Sequence, residues 1–176
     1  MIVRDTALPG VRTIQLEPKS DARGSFTAFF RASVARDHGM EATIRQCANS
    51  RNLRAGTIRG VHFQADADAE SKYVRCVAGR AYDVILDLRR DSPAFRKWIA
   101  IELGAGDDLM LYLPAGCAHG FQTLADNTEL SYLLTEEFRP GRDLGVRWND
   151  PAFAIAWPAP CTMMSDRDAS YPDFVV

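Results

Sequence analysis

Between about residue 43 and residue 135, apolar side chains come in short runs broken by glycine, proline or aspartate, and helical spacing is nearly absent. Runs of that length and period predict strands. They fall at TIRGVHFQ (57–64), KYVRCVAG (72–79), RAYDVILDLR (80–89), KWIAIEL (97–103), DLMLYLP (108–114), HGFQTLA (119–125) and TELSYLLTEEF (128–138). Their even spacing predicts an antiparallel meander or jelly roll, an all-β sandwich or closed barrel. One helix is expected around 31–39, where RASVARDHG ends in a glycine suited to a C-cap. From about residue 148 the chain is rich in proline, aromatics and aspartate, and its two tryptophans predict an ordered wrap over the barrel. No repeat, low-complexity stretch or linker interrupts the chain, so a single domain over 1–176 is expected.

Composition narrows the class. A 176-residue chain with 47% hydrophobic and 25% charged residues has the size and mix of one globular domain with a sizeable core. Its formal net charge of -2, with no block of like charge, gives no footprint for nucleic acid or a membrane surface. Any anionic ligand must therefore be met by local cations. No apolar run is long enough to cross a bilayer, and MIVRDTALPG carries no leader pattern, so a cytoplasmic location is expected. Cys47, Cys76, Cys117 and Cys161 are widely spread, form no metal-ligand spacing, and are expected to be reduced.

There are three histidines, His38, His62 and His119. If 57–64 is a strand, Ile58, Gly60, His62 and Gln64 share one face and Arg59, Val61 and Phe63 the other. His62 then has a glycine and a glutamine beside it and the cations Arg59 and Lys72 close in sequence. The plain alternative is a hydrogen-bonded core histidine. His119 lies in PAGCAHGF (114–121), where proline and glycine form a turn that delivers a histidine to the next strand. This PxGxxH spacing matches the second motif of the cupin barrels, many of which bind a metal there. The first-motif segment reads His62-Phe63-Gln64, one imidazole short, and Gln64 and Glu70 would have to complete a site although glutamine is a poor transition-metal ligand. Lys72 points either into a wet cavity or out from a sheet edge as an aggregation guard. Tyr132 reads equally as a core aromatic. His38, beside Asp37 in the expected helix, reads as a solvated surface residue.

Taken together and in order, RGVHFQ, KYVRCVAGRAYDVILDLRRDSPAFRKW, LYLPAGCAHGFQTL, VRWNDPAFAIAWP and SDRDASYPDF resemble the deoxysugar epimerase family typified by dTDP-4-dehydrorhamnose 3,5-epimerase, over nearly the whole chain. The resemblance implies a cupin-like jelly roll with short flanking helices, no metal or other cofactor, and a homodimer acting on a dTDP-4-keto-6-deoxyhexose. It implies His62 as general base, Asp168 as the carboxylate bonded to that imidazole, Tyr132 as general acid, and Lys72 as the cation beside the enolate oxygen, assisted by Arg59 and His119. Inversion needs a proton to leave one face of an enolate and return to the other, so two residues are required. For the nucleotide it implies Arg23, Arg59 and Arg167 at the nucleotide or its diphosphate, Gln46 near the base or sugar, and Asp143 at the substrate. It also implies Phe26 reaching across the dimer and Phe138 stacking on the base.

Three positions depart from the family pattern. Ala28 stands in place of a glutamate, Ala48 in place of the asparagine of a Q-x-N-x-S segment, and Phe138 in place of a tyrosine. All three concern recognition, whereas the implied base, acid and orienting carboxylate are present. The carbon inverted (C3, C5 or both), the nucleotide base and the sugar stay open on the sequence.

Overall fold

A computed structural model describes residues 1–64, 69–138, 141 and 143–175. The strands are β1 (Ile2–Asp5), β2 (Arg12–Gln15), β3 (Lys19–Asp21), β4 (Gly24–Phe26), β5 (Gln46–Asn52), β6 (Ile58–Gln64), β7 (Lys72–Ala78), β8 (Arg80–Asp87), β9 (Trp98–Gly104), β10 (Leu109–Leu113), β11 (Cys117–Thr123), β12 (Thr128–Leu134) and β13 (Asp143–Gly145). Two short helices, α1 (Ala32–Asp37) and α2 (Asp166–Ala169), flank them. One antiparallel sheet runs β1-β2-β10-β7-β12-β5, a second runs β13-β6-β11-β8-β9, and β3-β4 forms a separate hairpin. Apart from β1–β2 and β8–β9, neighbours in each sheet come from distant parts of the chain, which is the jelly-roll arrangement of a cupin-like fold.

Strand alternation explains why the two sheets stack. In β8 the residues Ala81 and Ile85 join Val74 and Cys76 of β7, Leu111 of β10 and Leu130 of β12 between the sheets. Val84 and Leu86, on the opposite face, pack against Val146, Phe153 and Ile155 of the C-terminal segment. The outer face of the six-stranded sheet, with Ile14, Tyr73 and Met110, is likewise covered by Ala35 of α1 and Met40. Central strands are therefore buried on two faces, which accounts for continuous apolar runs such as LMLYL where a half-exposed strand would alternate. The tail is an ordered wrap, as its tryptophans predict: Trp157 donates its indole N–H to the Trp148 carbonyl at 2.8 Å. Trp98 of β9 donates to the Phe153 carbonyl at 3.0 Å, tying the tail to the sheet beneath it.

The helix expected over 31–39 forms over 32–37 and closes on Gly39 at φ 66, a left-handed turn that glycine adopts without steric cost. The last four residues of TELSYLLTEEF leave the sheet, and β11 starts two residues earlier than the expected run. No helix among the described residues is long and apolar enough to cross a membrane.

One departure from regular pairing positions the site. His62 pairs with His119, yet Arg59 pairs with Phe121, so β6 carries one residue more than β11 over this stretch. The result is a β-bulge, which re-aims the side chains around it. Gly60 sits at its centre at φ 106, and a Cβ there would lie 2.7 Å from the His119 carbonyl oxygen and 2.8 Å from the Gly120 Cα. Arg59 and His62, expected on opposite faces, consequently line the same cavities.

Candidate active site

Two adjoining cavities share Arg59 and His62 as a common wall. The first, about 260 Å³, lies between the sheets and is also lined by Glu70, Lys72, His119 and Tyr132. The second, about 410 Å³, is bounded by Met163, Ser165, Arg167 and Asp168.

His62 is about one-third exposed, and its Nε2 lies 2.7 Å from Asp168 Oδ1. The other carboxylate oxygen accepts the Gly60 N–H at 3.0 Å, so the bulge that turns His62 also anchors its partner. Ser165 caps α2 by accepting the Asp168 N–H at 3.1 Å, which fixes the carboxylate's approach. Burial alone would raise the Asp168 carboxyl, but the hydrogen bonds from His62 and the Gly60 N–H outweigh it and hold the group below its ordinary value. An ionised Asp168 accepts a hydrogen bond from the Nε2–H tautomer of His62, and in that tautomer the lone pair lies on Nδ1.

Tyr132 approaches from the other sheet, opposite Ala48 of β5 and Val74 of β7. Burial, then the negative charge of Asp83, pushes its phenol well above the ordinary value, with Arg59 working against them. It is therefore a neutral O–H near neutral pH. Lys72 turns into the cavity, where its Nζ lies 3.2 Å from Glu70 Oε1. His119 is buried with its Nε2 at 2.9 and 3.0 Å from the two oxygens of Asp83, and its ring meets that of Tyr132 edge-on at 5.9 Å.

The nucleotide-side residues divide. Arg59 reaches Asn52 Oδ1 at 2.7 Å and, with Arg167, bounds the second cavity. Gln46 accepts the Phe138 N–H at 2.6 Å, so these two implied base contacts meet each other directly. Asp143 lies in β13 opposite Gln64, and its side chain falls outside the described residues. Arg23 and Phe26 are not brought to His62 in this chain: Arg23 pairs with Asp21, and Phe26, 74% exposed, borders a different cavity with Met1, Glu17 and Arg31. Of the four side chains considered for a metal site, His62, Glu70 and His119 line the first cavity, whereas Gln64 lines a separate one with Phe63, Leu88 and Phe174.

The sequence and the architecture have counterparts among known proteins. The family model for dTDP-4-dehydrorhamnose 3,5-epimerase matches residues 5–175. The chain belongs to that family. A dTDP-4-dehydrorhamnose 3,5-epimerase of Sinorhizobium fredii is 36% identical over 173 residues, covering 98% of this chain and 89% of the relative. The crystal structure of the Bacillus anthracis enzyme, with TDP and PPi bound, superposes with a TM-score of 0.94 at 36% identity, covering 98% of this chain and 99% of that one. A 3'-monoepimerase from Streptomyces bikiniensis in complex with dTDP-quinovose superposes at 0.87 with 31% identity, covering 96% and 85%. The chain is accordingly an isomerase of the sugar-nucleotide epimerase class.

Within this epimerase, sequence reasoning passed over two residues beside the site. Asp83 was hidden in RAYDVILDLR, which reads as an apolar strand. Its signal was a carboxylate on the same face as Ala81 and Ile85, where a lone charge has no place without a partner. Tyr171 packs edge-on to His62 at 6.1 Å and under the Arg167 guanidinium at 5.7 Å. A Cβ on Gly145 would lie 2.3 Å from its ring, so only glycine lets Tyr171 close over β13.

Proposed function

We propose that this chain inverts the carbon or carbons beside the ketone of a dTDP-4-keto-6-deoxyhexose, the step that makes a dTDP-rhamnose-type deoxysugar. The observation that carries this is His62 on one sheet, backed by Asp168 of α2, and the Tyr132 phenol on the other sheet, with His62 and Tyr132 lining one cavity. His62 Nδ1 takes the proton on the carbon beside the ketone. The C–H electron pair moves into the C–C bond and the carbonyl π pair onto oxygen, giving an enolate. Lys72 stabilises that oxygen through its ammonium, beside His119. Tyr132 then gives its phenolic proton to the opposite face, and solvent restores the proton on Tyr132 and removes the one on His62.

Arg59 and Arg167 at the adjoining cavity supply the planar donors that suit a diphosphate, and Phe138 with Gln46 supports the base. The Bacillus anthracis relative, with TDP and PPi bound, supports a nucleotide ligand. Arg23 and Phe26 are reserved for a second copy: the β3–β4 hairpin presents them outward, and a homodimer would carry them to the partner's site. A cytoplasmic setting accords with the four free cysteines.

Incubation with dTDP-4-keto-6-deoxyglucose in deuterated water will place deuterium at C3, C5 or both, and NMR of the product shows which. Absence of exchange with this and with other 4-keto nucleotide sugars sinks the proposal.

A further inference from the structure

The carboxylate of Glu70 is not consumed by the roles above. It lines the cavity with His62, Lys72 and Tyr132, and the residue is only 9% exposed. One oxygen lies 3.2 Å from Lys72 Nζ. The other is buried and makes no hydrogen bond among the described residues. An ionised carboxylate has about four lone-pair sites, and Lys72 uses one. A buried acceptor left unused costs stability, so its retention beside the reacting centre calls for a donor that arrives from elsewhere.

The position is held firmly. Ser71, between Glu70 and Lys72, donates its N–H to Thr135 Oγ1 at 2.8 Å and its carbonyl accepts the Thr135 N–H at 3.2 Å. Its hydroxyl accepts from Tyr112 and from the Ala115 N–H, each at 3.2 Å. With the intervening residue pinned on two sides, Glu70 and Lys72 enter the cavity as a fixed pair.

We infer that Glu70 is a substrate-binding residue that accepts a hydrogen bond from the sugar hydroxyl vicinal to the ketone, and so selects 4-keto sugars bearing a free hydroxyl at C3. The inference rests on the epimerase reading, in which Lys72 takes the ketone oxygen. A carboxylate 3.2 Å from that ammonium is an acceptor beside the place the ketone oxygen would take. On a 4-keto-6-deoxyhexose the nearest donor to the same oxygen is the C3 hydroxyl, since C5 carries only hydrogen, the methyl group and the ring oxygen. One carboxylate can then bridge the cation on the ketone and the hydroxyl beside it. A salt-bridge partner that merely neutralised Lys72 would show no dependence on that hydroxyl.

The test measures kcat/KM for deuterium uptake at the carbons beside the ketone, with dTDP-4-keto-6-deoxyglucose and its 3-deoxy counterpart. Wild type is expected to favour the hydroxylated sugar on the order of 10- to 100-fold, the worth of one hydrogen bond to a charged group. In Glu70→Ala that preference should shrink to within about 3-fold, because the two deletions remove the same contact. Glu70→Gln, which keeps the volume and one acceptor oxygen, should fall between and serves if the alanine variant does not fold. A wild-type preference that survives in both variants, with both substrates slowed equally, overturns the role of Glu70 and leaves the epimerase reading intact. Failure of the wild type to exchange either substrate removes both.

Discussion

At the scale of single residues, what separates two chemically similar pairs in this site is the company each carboxylate keeps. Asp168 shares its charge among His62, the Gly60 N–H and the Ser165 side chain. Asp83 directs both oxygens at His119 alone among the described residues. Asp168→Asn removes the charge with little change of volume and lets the amide hydrogen-bond the wrong imidazole tautomer. Exchange should fall roughly 100- to 10,000-fold, read by deuterium uptake. The same substitution has a pH signature. The folded-state carboxyl is lowered, so its contribution to stability is present above the unfolded value and is lost as pH falls through the folded one. The gap in unfolding free energy between wild type and Asp168→Asn should therefore be open at pH 7 and close in acid. Asp83→Ala leaves the His119 ring buried without its acceptor and should cost about 1–3 kcal/mol by denaturant titration, the range for a buried donor left unsatisfied. Tyr132→Phe removes the proton donor while His62 still abstracts, so exchange should persist while inversion fails. Normal inversion by that variant would displace Tyr132 as the acid.

At the scale of elements, the strands from β6 to β12 were legible because each buries a face and so carries a run of apolar side chains long enough to read. β3 and β4 were not, since every one of their residues is exposed. β5, QCANSRN, has a polar sequence and is held by its pairing with β12. The bulge in β6 was equally invisible: regular alternation put Arg59 across the strand from His62, and only an extra residue against β11 brings them to one wall. Gly60 is its one sequence trace. Gly60→Ala places a Cβ against two backbone atoms at a φ that L residues rarely adopt. It should cost about 2–4 kcal/mol and also weaken the Gly60 N–H bond to Asp168. Thermal unfolding and deuterium exchange on the same variant report the two effects. Full exchange in a destabilised protein would show that the bulge serves the fold and not the base.

At the scale of the whole molecule, the site exists because two sheets close on each other. His62 and Asp168 are 106 positions apart, and no local pattern links them. The family resemblance supplied that pairing in advance, while the residues alone supported only an accessible imidazole near cations. The closed sheets also show what one chain lacks. Phe26 is among its most exposed large apolar residues and stands on a hairpin with no covering layer of its own. In the homodimer proposed above, such a surface would be covered and each hairpin would lie at the other chain's cavity. Phe26→Asp and His62→Ala, each inactive as a homodimer, should then complement when mixed and re-associated. In the mixed dimer, one site combines an intact His62 with an intact Phe26 from the partner, and the other has neither. Statistical mixing gives half mixed dimers with one working site each, so activity should recover to roughly a quarter of wild type. If Phe26 served its own chain, every site in every combination would lack one residue and mixing would recover nothing.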